Sequence, residues 1–247
     1  ITELEINPLA NTPDGLVALD VLTTLGTGSL TIRPDRPLRE LRRLLEPETI
    51  AIVGVSSRMN PGRIILCNLL RDGFDQDRVW IVKPGVDAIE GCRCVPDLES
   101  LPEKVDLLVV AVSARDAPEV VIGAIETDAA ASLILIPGGL EEKQGTADLV
   151  GRMHDSLAAA RSRGGGPLIN GGNCLGIRSR PGRYDTMFIP AAKLAGPSGP
   201  PDPVAILAQS GGFPISRLSR LRGIEPRYVI TVGNQMDLTV GDYLEYL

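Results

Sequence analysis

The stretch that most constrains how this chain can fold is residues 49–73, which read TIAIVGVSSRMNPGRIILCNLLRDG. Its first apolar letters, IAIVGV, form a continuous run that is typical of a strand buried on both faces. Pro61 then occupies a favoured first position of a helix, further apolar residues follow, and Gly73 ends the pattern. The stretch therefore predicts a strand, a glycine turn and a helix, whose N-terminus and loop amides can hold a phosphate.

The glycine turn lacks the usual dinucleotide fingerprint. A GxGxxG motif starting at Gly54 would need glycines at Ser56 and Met59. The next strand-like run, VWIVKPG, ends in Lys83, where an NAD-binding protein normally places an acidic residue for the ribose hydroxyls. Because a lysine attracts a phosphorylated ribose, we expect a ligand with additional phosphate, such as NADP or coenzyme A (CoA). On spacing alone, a solvated charge at a strand end is the alternative interpretation of Lys83.

Composition limits the classes of partner. A formal net charge of -6 without a compensating basic stripe disfavours nucleic acid. No apolar run approaches the roughly 20 residues that a membrane span requires, so we expect a soluble protein without a membrane partner. The cysteines form no disulfide framework and no signal peptide is evident, so we expect a cytoplasmic location. The lone CxC at 92–94 does not predict a zinc site.

The chain begins with two short apolar runs, in residues 1–22, that flank a Thr-Pro-Asp-Gly turn at 12–15 and predict a β-hairpin. Asn7 and Asp20 lie on the two arms, where each can offer an oxygen to a hard cation such as Mg²⁺. The alternative is that both side chains only hydrogen-bond the backbone near the turn. Because Ile1 is not a methionine and already reads as strand, we expect the chain to be a piece of a longer protein.

Strand-like and helical patterns then alternate along the chain. We expect a polar linker over 23–36, a short helix from Leu38 to Leu45, and a loop through Cys92 and Cys94. Further strands are expected over 106–112, over 132–139 and in PLING. Further helices are expected from an Asp116 cap to about Asp128, and from Glu141 to about Arg163. Such alternation predicts a parallel α/β sheet that binds ligands beyond the carboxyl ends of its strands. Those ends carry Ser56, Ser57, Lys83, Pro84, Ser113, Pro137, Gly138, Gly139, Asn173 and Cys174.

A second strand, glycine turn and helix follow a Pro/Gly/Ser-rich segment at 192–203 that predicts a linker. In VAILAQSGGFPISRL, the residues Ser210, Gly211 and Gly212 begin a helix whose N-terminus can hold a phosphate.

Of the remaining candidates, Cys174 has no local histidine to activate it, so a buried small residue is the preferred interpretation. His154 lies in RMHDSLAAAR on a helix face, without a glycine turn beside it, and is not expected to be catalytic.

Several of these motifs together resemble the NDP-forming acyl-CoA synthetases, the superfamily of succinyl-CoA synthetase. ELEINPL and LVALD are similar to the closing hairpin of its ATP-grasp domain. GVSS with NPGR, VKPG, LPEKVDLLVVAV, LILIPGGLEE and NGGNCLGI resemble its CoA-binding domain, and the QSGG turn resembles its ligase domain. Gly172 replaces a proline that the family usually has, and Ala208 and Gly212 are mild departures from the SQSGA consensus.

The resemblance implies a domain order and an α/β fold. Residues 1–25 would be a hairpin remnant of an ATP-grasp domain, 26–46 a linker and short helix, 47–191 a Rossmann-like CoA-binding domain, 192–202 a linker, and 203–247 the first part of a flavodoxin-like ligase domain. Asn7 and Asp20 would bind the Mg²⁺ of the nucleotide. CoA phosphates or adenosine would contact Ser56, Ser57, Arg58 and Lys83, and Pro137 to Gly139 would flank the pantetheine.

The resemblance also implies a reaction, in which a carboxylic acid, CoA and ATP give acyl-CoA, ADP and phosphate. A phosphohistidine would carry the phosphoryl group, and the family's catalytic histidine would follow residue 247, so this fragment would bind ligands without turning over. Assembly with the ATP-grasp part into a homo- or hetero-oligomer is expected. Two alternatives stay open: a non-catalytic module that senses CoA or acyl-CoA, and an NADP-dependent oxidoreductase, which the failed fingerprint disfavours.

Overall fold

The computed structural model describes residues 3–6, 9–13, 15–25, 36–140, 147–194, 196, 198–220 and 223–247. The chain divides into two compact units, Ile1–Pro34 and Asp35–Leu247. No helix within the described ranges is long and apolar enough to cross a membrane.

The first unit is built from four short strands in two antiparallel pairs. Its strands are β1 (Glu3–Ile6), β2 (Leu9–Thr12), β3 (Gly15–Ala18) and β4 (Val21–Thr24). The inner pair, β2 with β3, confirms the hairpin, since Thr12 pairs with Gly15 across the predicted turn. The outer pair, β1 with β4, runs to Thr24, so the linker predicted from residue 23 starts too early. Most of that segment, 26–35, lies outside the described residues.

The second unit alternates helices and strands as the sequence predicts. Its elements are α1 (Leu41–Leu45), β5 (Ile50–Val53), α2 (Pro61–Arg71), β6 (Val79–Val82), β7 (Ala88–Ile89), β8 (Cys92–Val95), β9 (Val105–Val110), α3 (Ala117–Glu126), β10 (Ala130–Leu135), α4 (Ala147–Ser162), β11 (Leu168–Gly171), β12 (Ile177–Ser179), β13 (Tyr184–Asp185), β14 (Asp202–Ala208), α5 (Gly212–Leu218), β15 (Pro226–Thr231) and α6 (Val240–Tyr246). A 3-10 turn, Leu38–Glu40, leads into α1, which agrees with the predicted short helix.

The main sheet has seven strands in the order β11-β10-β9-β5-β6-β8-β7, all parallel except β7. Alternate residues of its central strands point to two separate cores, as strand geometry requires. Ile50 and Ile52 of β5 pack in one core with α1 and α2, whereas Ala51 packs in the other with α3 and α4. The sheet is therefore covered on both faces, and the predicted parallel α/β fold is confirmed.

One local prediction is wrong, and another is confirmed only in part, since Asp116 is the N-cap residue of α3 but makes no side-chain cap. Cys92 and Cys94 lie in strand β8 rather than in a loop, and Arg93 between them covers the ring of Trp80 on β6 at 4.4 Å. The Asp116 side chain does not cap α3, because its carboxylate accepts a hydrogen bond from the Ser113 hydroxyl instead.

A smaller sheet, in the order β13-β12-β15-β14, joins segments on either side of the predicted 192–202 linker. β14 and β15 are parallel, while β12 pairs antiparallel with β15. The chain then returns to the main sheet, where the amides of Asn234, Met236 and Leu238 donate to the carbonyls of Gly172, Gly171 and Ile169. Residues 234–238 thus cover the outer edge of β11, which would otherwise present unpaired backbone groups.

A buried ion pair fixes this returning segment. Arg161 at the end of α4 donates to Asp237 at 3.0 Å, and the side chains are only 3% and 7% exposed. The same Asp237 oxygen accepts the Ile169 amide at 2.9 Å. Burial lowers the pKa of Arg161 and raises that of Asp237, and the attraction between the two charges opposes both shifts.

We expect Gly62→Ala to destabilise the fold by about 1–3 kcal/mol, although alanine normally favours helices. A Cβ on Gly62 would lie 2.6 Å from the carbonyl oxygen of Gly54. Gly151→Ala in α4 is the matched control, because nothing lies within 4 Å of its new methyl group, and it should stabilise by up to about 1 kcal/mol. Urea unfolding of both variants measures the difference, and equal stabilities would contradict the close approach.

Removing one partner of the buried pair, in Asp237→Ala, should cost about 3–5 kcal/mol of unfolding free energy, because it leaves Arg161 charged and unpaired in the interior. The control is Glu119→Ala, which breaks the exposed Arg152–Glu119 pair and should cost less than about 1 kcal/mol. Thermal unfolding compares the two variants. An equal loss of stability in the two variants would mean that the Arg161–Asp237 pair is not a buried pair.

Candidate functional site

The order of the strands locates the candidate site. From β5 the chain moves to β6 on one side, and it later returns to β9 on the other side of β5. Open parallel sheets bind ligands beyond the strand ends at such a reversal. The loops that follow β5, β6, β9, β10 and β11 all lie at this carboxyl edge, and they contain every residue predicted to bind CoA.

The turn after β5 lies unusually close to its neighbours. Gly54 has a φ of +101°, and a Cβ there would lie 2.5 Å from the Ala111 carbonyl oxygen at the end of β9. Gly62, in the first turn of α2, touches Gly54 from the other side. Glycine is therefore required at both positions. The backbone of the turn packs directly against the end of β9 and against the first turn of α2.

Asn60 organises this turn, and it is not among the residues predicted to form the site. Its Nδ2 donates to the Gly54 carbonyl at 2.7 Å, while its Oδ1 accepts the Arg63 amide at 3.0 Å and the Ser56 amide at 3.3 Å. Asn60 is thus the N-cap of α2. An Asn directly before a helix-starting Pro is the sequence signal that could have identified it.

The side chains predicted to bind phosphate surround this turn. Ser56 is half-buried, and its hydroxyl accepts the Arg58 amide at 3.0 Å; Ser57 and Arg58 are exposed. Neither the Ser57 nor the Met59 amide donates to another residue in the described part of the chain. The turn therefore presents a cation and backbone donors to solvent, the features that hold a phosphate.

Lys83 joins the same turn from β6. It is half-buried, and its ammonium donates to the Val55 carbonyl at 3.0 Å. An ammonium has three donors, so this contact leaves two for a ligand. Lys83 is therefore held in the turn rather than being a free charge at a strand end. Pro84 beside it is exposed. Ser113, across the switch point, is also exposed, and its hydroxyl donates a hydrogen bond to the Asp116 carboxylate.

A second group of residues surrounds the ends of β10 and β11. The Asn173 amide donates to the Pro137 carbonyl at 2.9 Å, and a Cβ on Gly138 would lie 2.4 Å from Asn173 Oδ1. Gly139 continues the same loop at intermediate exposure. Asn173 is exposed, whereas Cys174 is buried and donates weakly to the Leu135 carbonyl at 3.4 Å. The structure thus brings these five predicted residues together, with Cys174 facing inward.

Burial of Cys174 raises the pKa of its thiol to about 12, although hydrogen bonds from Gly176 and Asn170 oppose the shift. The thiol is therefore protonated at neutral pH, which agrees with the interpretation of Cys174 as a buried small residue. His154 is exposed on α4, as predicted for a helix face.

The predicted phosphate turn of the smaller sheet lies beside this second group. A Cβ on Gly211 would lie 2.6 Å from Leu175, the residue after Cys174. Ser210 and Gly212 are exposed, and the Ser210 hydroxyl accepts the Gly212 amide at 3.3 Å. The two predicted sites, at 173–174 and at 210–212, therefore meet.

The predicted metal site is only partly described. Asn7 lies outside the described residues, and Asp20 is exposed. Within the described residues, no group of three or more His, Cys, Asp or Glu side chains could hold a metal ion. The Mg²⁺ assignment of Asn7 and Asp20 therefore stays a prediction.

The comparisons with known proteins agree with this geometry. Residues 48–180 match the family model described as a CoA binding domain, and residues 201–247 match the succinyl-CoA ligase like flavodoxin domain. The chain is 26% identical over 254 residues to the ADP-forming acetate–CoA ligase II of Archaeoglobus fulgidus, covering 100% of this chain and 35% of that protein. It is 26% identical over 220 residues to the alpha subunit of the ADP-forming acetate–CoA ligase I of Pyrococcus furiosus, covering 83% of this chain and 44% of that subunit.

A solved structure shows the same fold. The dinucleotide forming acetyl-coenzyme A synthetase 1 of Ca. Korarchaeum cryptofilum, in complex with phosphate and ADP, superposes with a TM-score of 0.70 at 28% identity, covering 83% of this chain and 42% of that one. The chain spans about a third to under a half of the length of these relatives. Because the CoA binding domain model covers more than half of the 247 residues, this chain belongs to the CoA-binding domain family and carries the CoA-binding part that ADP-forming acid–CoA ligases have.

Proposed function

We propose that this chain is the CoA-binding portion of an acid–CoA ligase, which forms acyl-CoA from a carboxylic acid, CoA and ATP and releases ADP and phosphate. The observation that carries the proposal is the basic turn at the switch point, where Lys83 and the exposed Arg58 flank loop amides. The match of the whole chain to part of an ADP-forming acetate–CoA ligase supports the reaction class.

In this proposal, CoA lies along the carboxyl edge of the main sheet. Its phosphates and adenosine contact Ser56, Ser57, Arg58 and Lys83, next to Pro84 and Ser113. The pantetheine arm extends past Pro137, Gly138 and Gly139 toward Asn173 and Cys174. The charges of ligand and site agree in this assignment. The anionic phosphates meet the two cations, and the neutral arm meets glycines and an asparagine.

The remaining chemistry is assigned to neighbouring parts of the enzyme. Ser210, Gly211 and Gly212 hold the phosphate through the turn, and a histidine outside these 247 residues carries the phosphoryl group as a phosphohistidine. ATP and its Mg²⁺ would be bound by an ATP-grasp domain, to which residues 1–25 with Asn7 and Asp20 belong. The alpha subunit name of a relative supports an assembly of subunits. A cytoplasmic location is part of the same proposal.

The first test is calorimetric titration of the chain with CoA, using Lys83→Glu as the variant. Since the Lys83 ammonium is held in the turn after β5, reversing its charge should weaken CoA binding by about 1–3 kcal/mol. Dephospho-CoA should lose less affinity in the variant, because it lacks the ribose phosphate that Lys83 attracts. Lys104→Glu, which makes the same charge change at the start of β9, should leave CoA binding unchanged.

NADPH is the competing ligand in this experiment. Binding of NADPH in place of CoA would overturn the ligase proposal in favour of an oxidoreductase. CoA binding by a longer protein that lacks the downstream histidine would instead support a non-catalytic sensor.

The four thiols should differ in reactivity. Cys67 is exposed, and Cys94 is half-buried with a pKa that burial raises. Burial raises the pKa of Cys92 to about 11 and that of Cys174 to about 12. At pH 8 these two thiolates are populated at only about a thousandth and a ten-thousandth. A disulfide reagent at pH 8 should therefore modify Cys67 rapidly, and Cys92 and Cys174 only after unfolding. Cys67→Ser should abolish the rapid phase, whereas rapid modification of Cys174 would contradict its structural role.

A further inference from the structure

We propose that the side chain of Asn234 binds the pantetheine arm of CoA, so that the loop after β15 forms a third wall of the CoA site. The inference rests on the proposed function. It adds to that function a residue from the smaller sheet, more than 50 residues further along the chain than the last predicted CoA contact.

The backbone of this loop is fastened to the predicted pantetheine loop. The Asn234 amide donates to the Gly172 carbonyl at 2.8 Å, and the Met236 amide donates to the Gly171 carbonyl at 2.8 Å. Gly233 has a φ of +54°, and it lies against Gly172 and Asn173 so closely that a Cβ there would overlap both backbones. Asn234 is therefore held directly beside Asn173.

The loop is also fastened to the QSGG turn. Gln209 Nε2 donates to the Gly233 carbonyl at 3.1 Å, and the Gly233 amide donates to the Gln209 carbonyl at 3.0 Å. At its other end, Gln235 Oε1 accepts the Val240 amide at 3.1 Å and so ties the loop to α6. These contacts fix the position of Asn234 from both sides, before any ligand is bound.

The Asn234 side chain itself is exposed, and within the described ranges it makes no hydrogen bond. Four short segments meet here: PGG at 137–139, GGNC at 171–174, QSGG at 209–212 and GNQM at 233–236. The side chains of these segments carry no charge at neutral pH. In contrast, the turn after β5 presents Arg58 and Lys83.

This division of charge matches the chemistry of CoA. Phosphates are recognised by cations and loop amides, whereas the pantetheine arm is neutral and contains two amide groups. A carboxamide both donates and accepts, so Asn234 can pair with one such amide in two complementary hydrogen bonds.

The test compares CoA with adenosine 3′,5′-bisphosphate, which keeps the charged end and lacks the pantetheine arm. Titration calorimetry of the chain with Asn234→Ala should show CoA binding about tenfold weaker and bisphosphate binding within twofold of the unmodified chain. Lys83→Glu is the matched control and should weaken the binding of both ligands. Asn234→Asp, which keeps the shape but loses the donor, should behave like Asn234→Ala, and unchanged unfolding temperatures confirm that the variants fold.

The outcomes separate the two proposals. If both ligands bind the unmodified chain and Asn234→Ala weakens neither, or weakens both equally, Asn234 does not contact the pantetheine arm. If neither ligand binds the unmodified chain, the proposed function fails and the inference fails with it.

Discussion

The structure depends on one set of backbone hydrogen bonds, in which residues 234–238 pair with residues 169–172 along the open edge of β11. This pairing joins the smaller sheet to the main one and satisfies groups that would otherwise lie at a sheet edge. The buried Arg161–Asp237 pair holds the returning segment at one end, and Gly233 holds it at the other. Because the pairing ends at Gly172, it also positions the predicted pantetheine loop. Fold and site are thus stabilised by the same contacts.

A second constraint acts at the switch point, where three stretches of backbone meet without room for a side chain. Gly54 and Gly62 allow this approach, and Asn60 secures it through three hydrogen bonds. The resulting turn presents a cation and, within the described residues, two amides that donate to no other residue. The short segments at 137–139 and 171–174, toward the other end of the edge, carry no charged side chain. The edge is therefore graded in charge, from a region suited to phosphates to one suited to an amide-containing arm.

Much of this could be predicted from the sequence, because the signals are local. The strand, turn and helix over 49–73 follow from apolar runs and from the positions of Pro61 and Gly73, and the hairpin follows from its turn residues. Strand β8 was missed because CRCV has no apolar periodicity and gains its stability from packing on β6 and Trp80. Asn60 also has a local signal, since an Asn directly before a helix-starting Pro is typical of an N-cap.

By itself, the sequence determined the α/β class, the alternation of the main strands and helices, and the small and polar residues at the strand ends, since each depends on neighbours within a few positions. Only the tertiary structure decided that Lys83 bonds the Val55 carbonyl and that Asn234 lies beside Asn173. Backbone amides and carbonyls are the same in every residue except proline, so local sequence patterns do not indicate which distant segments pair. Packing and edge closure select those partners, and they bring Asn234 to the site.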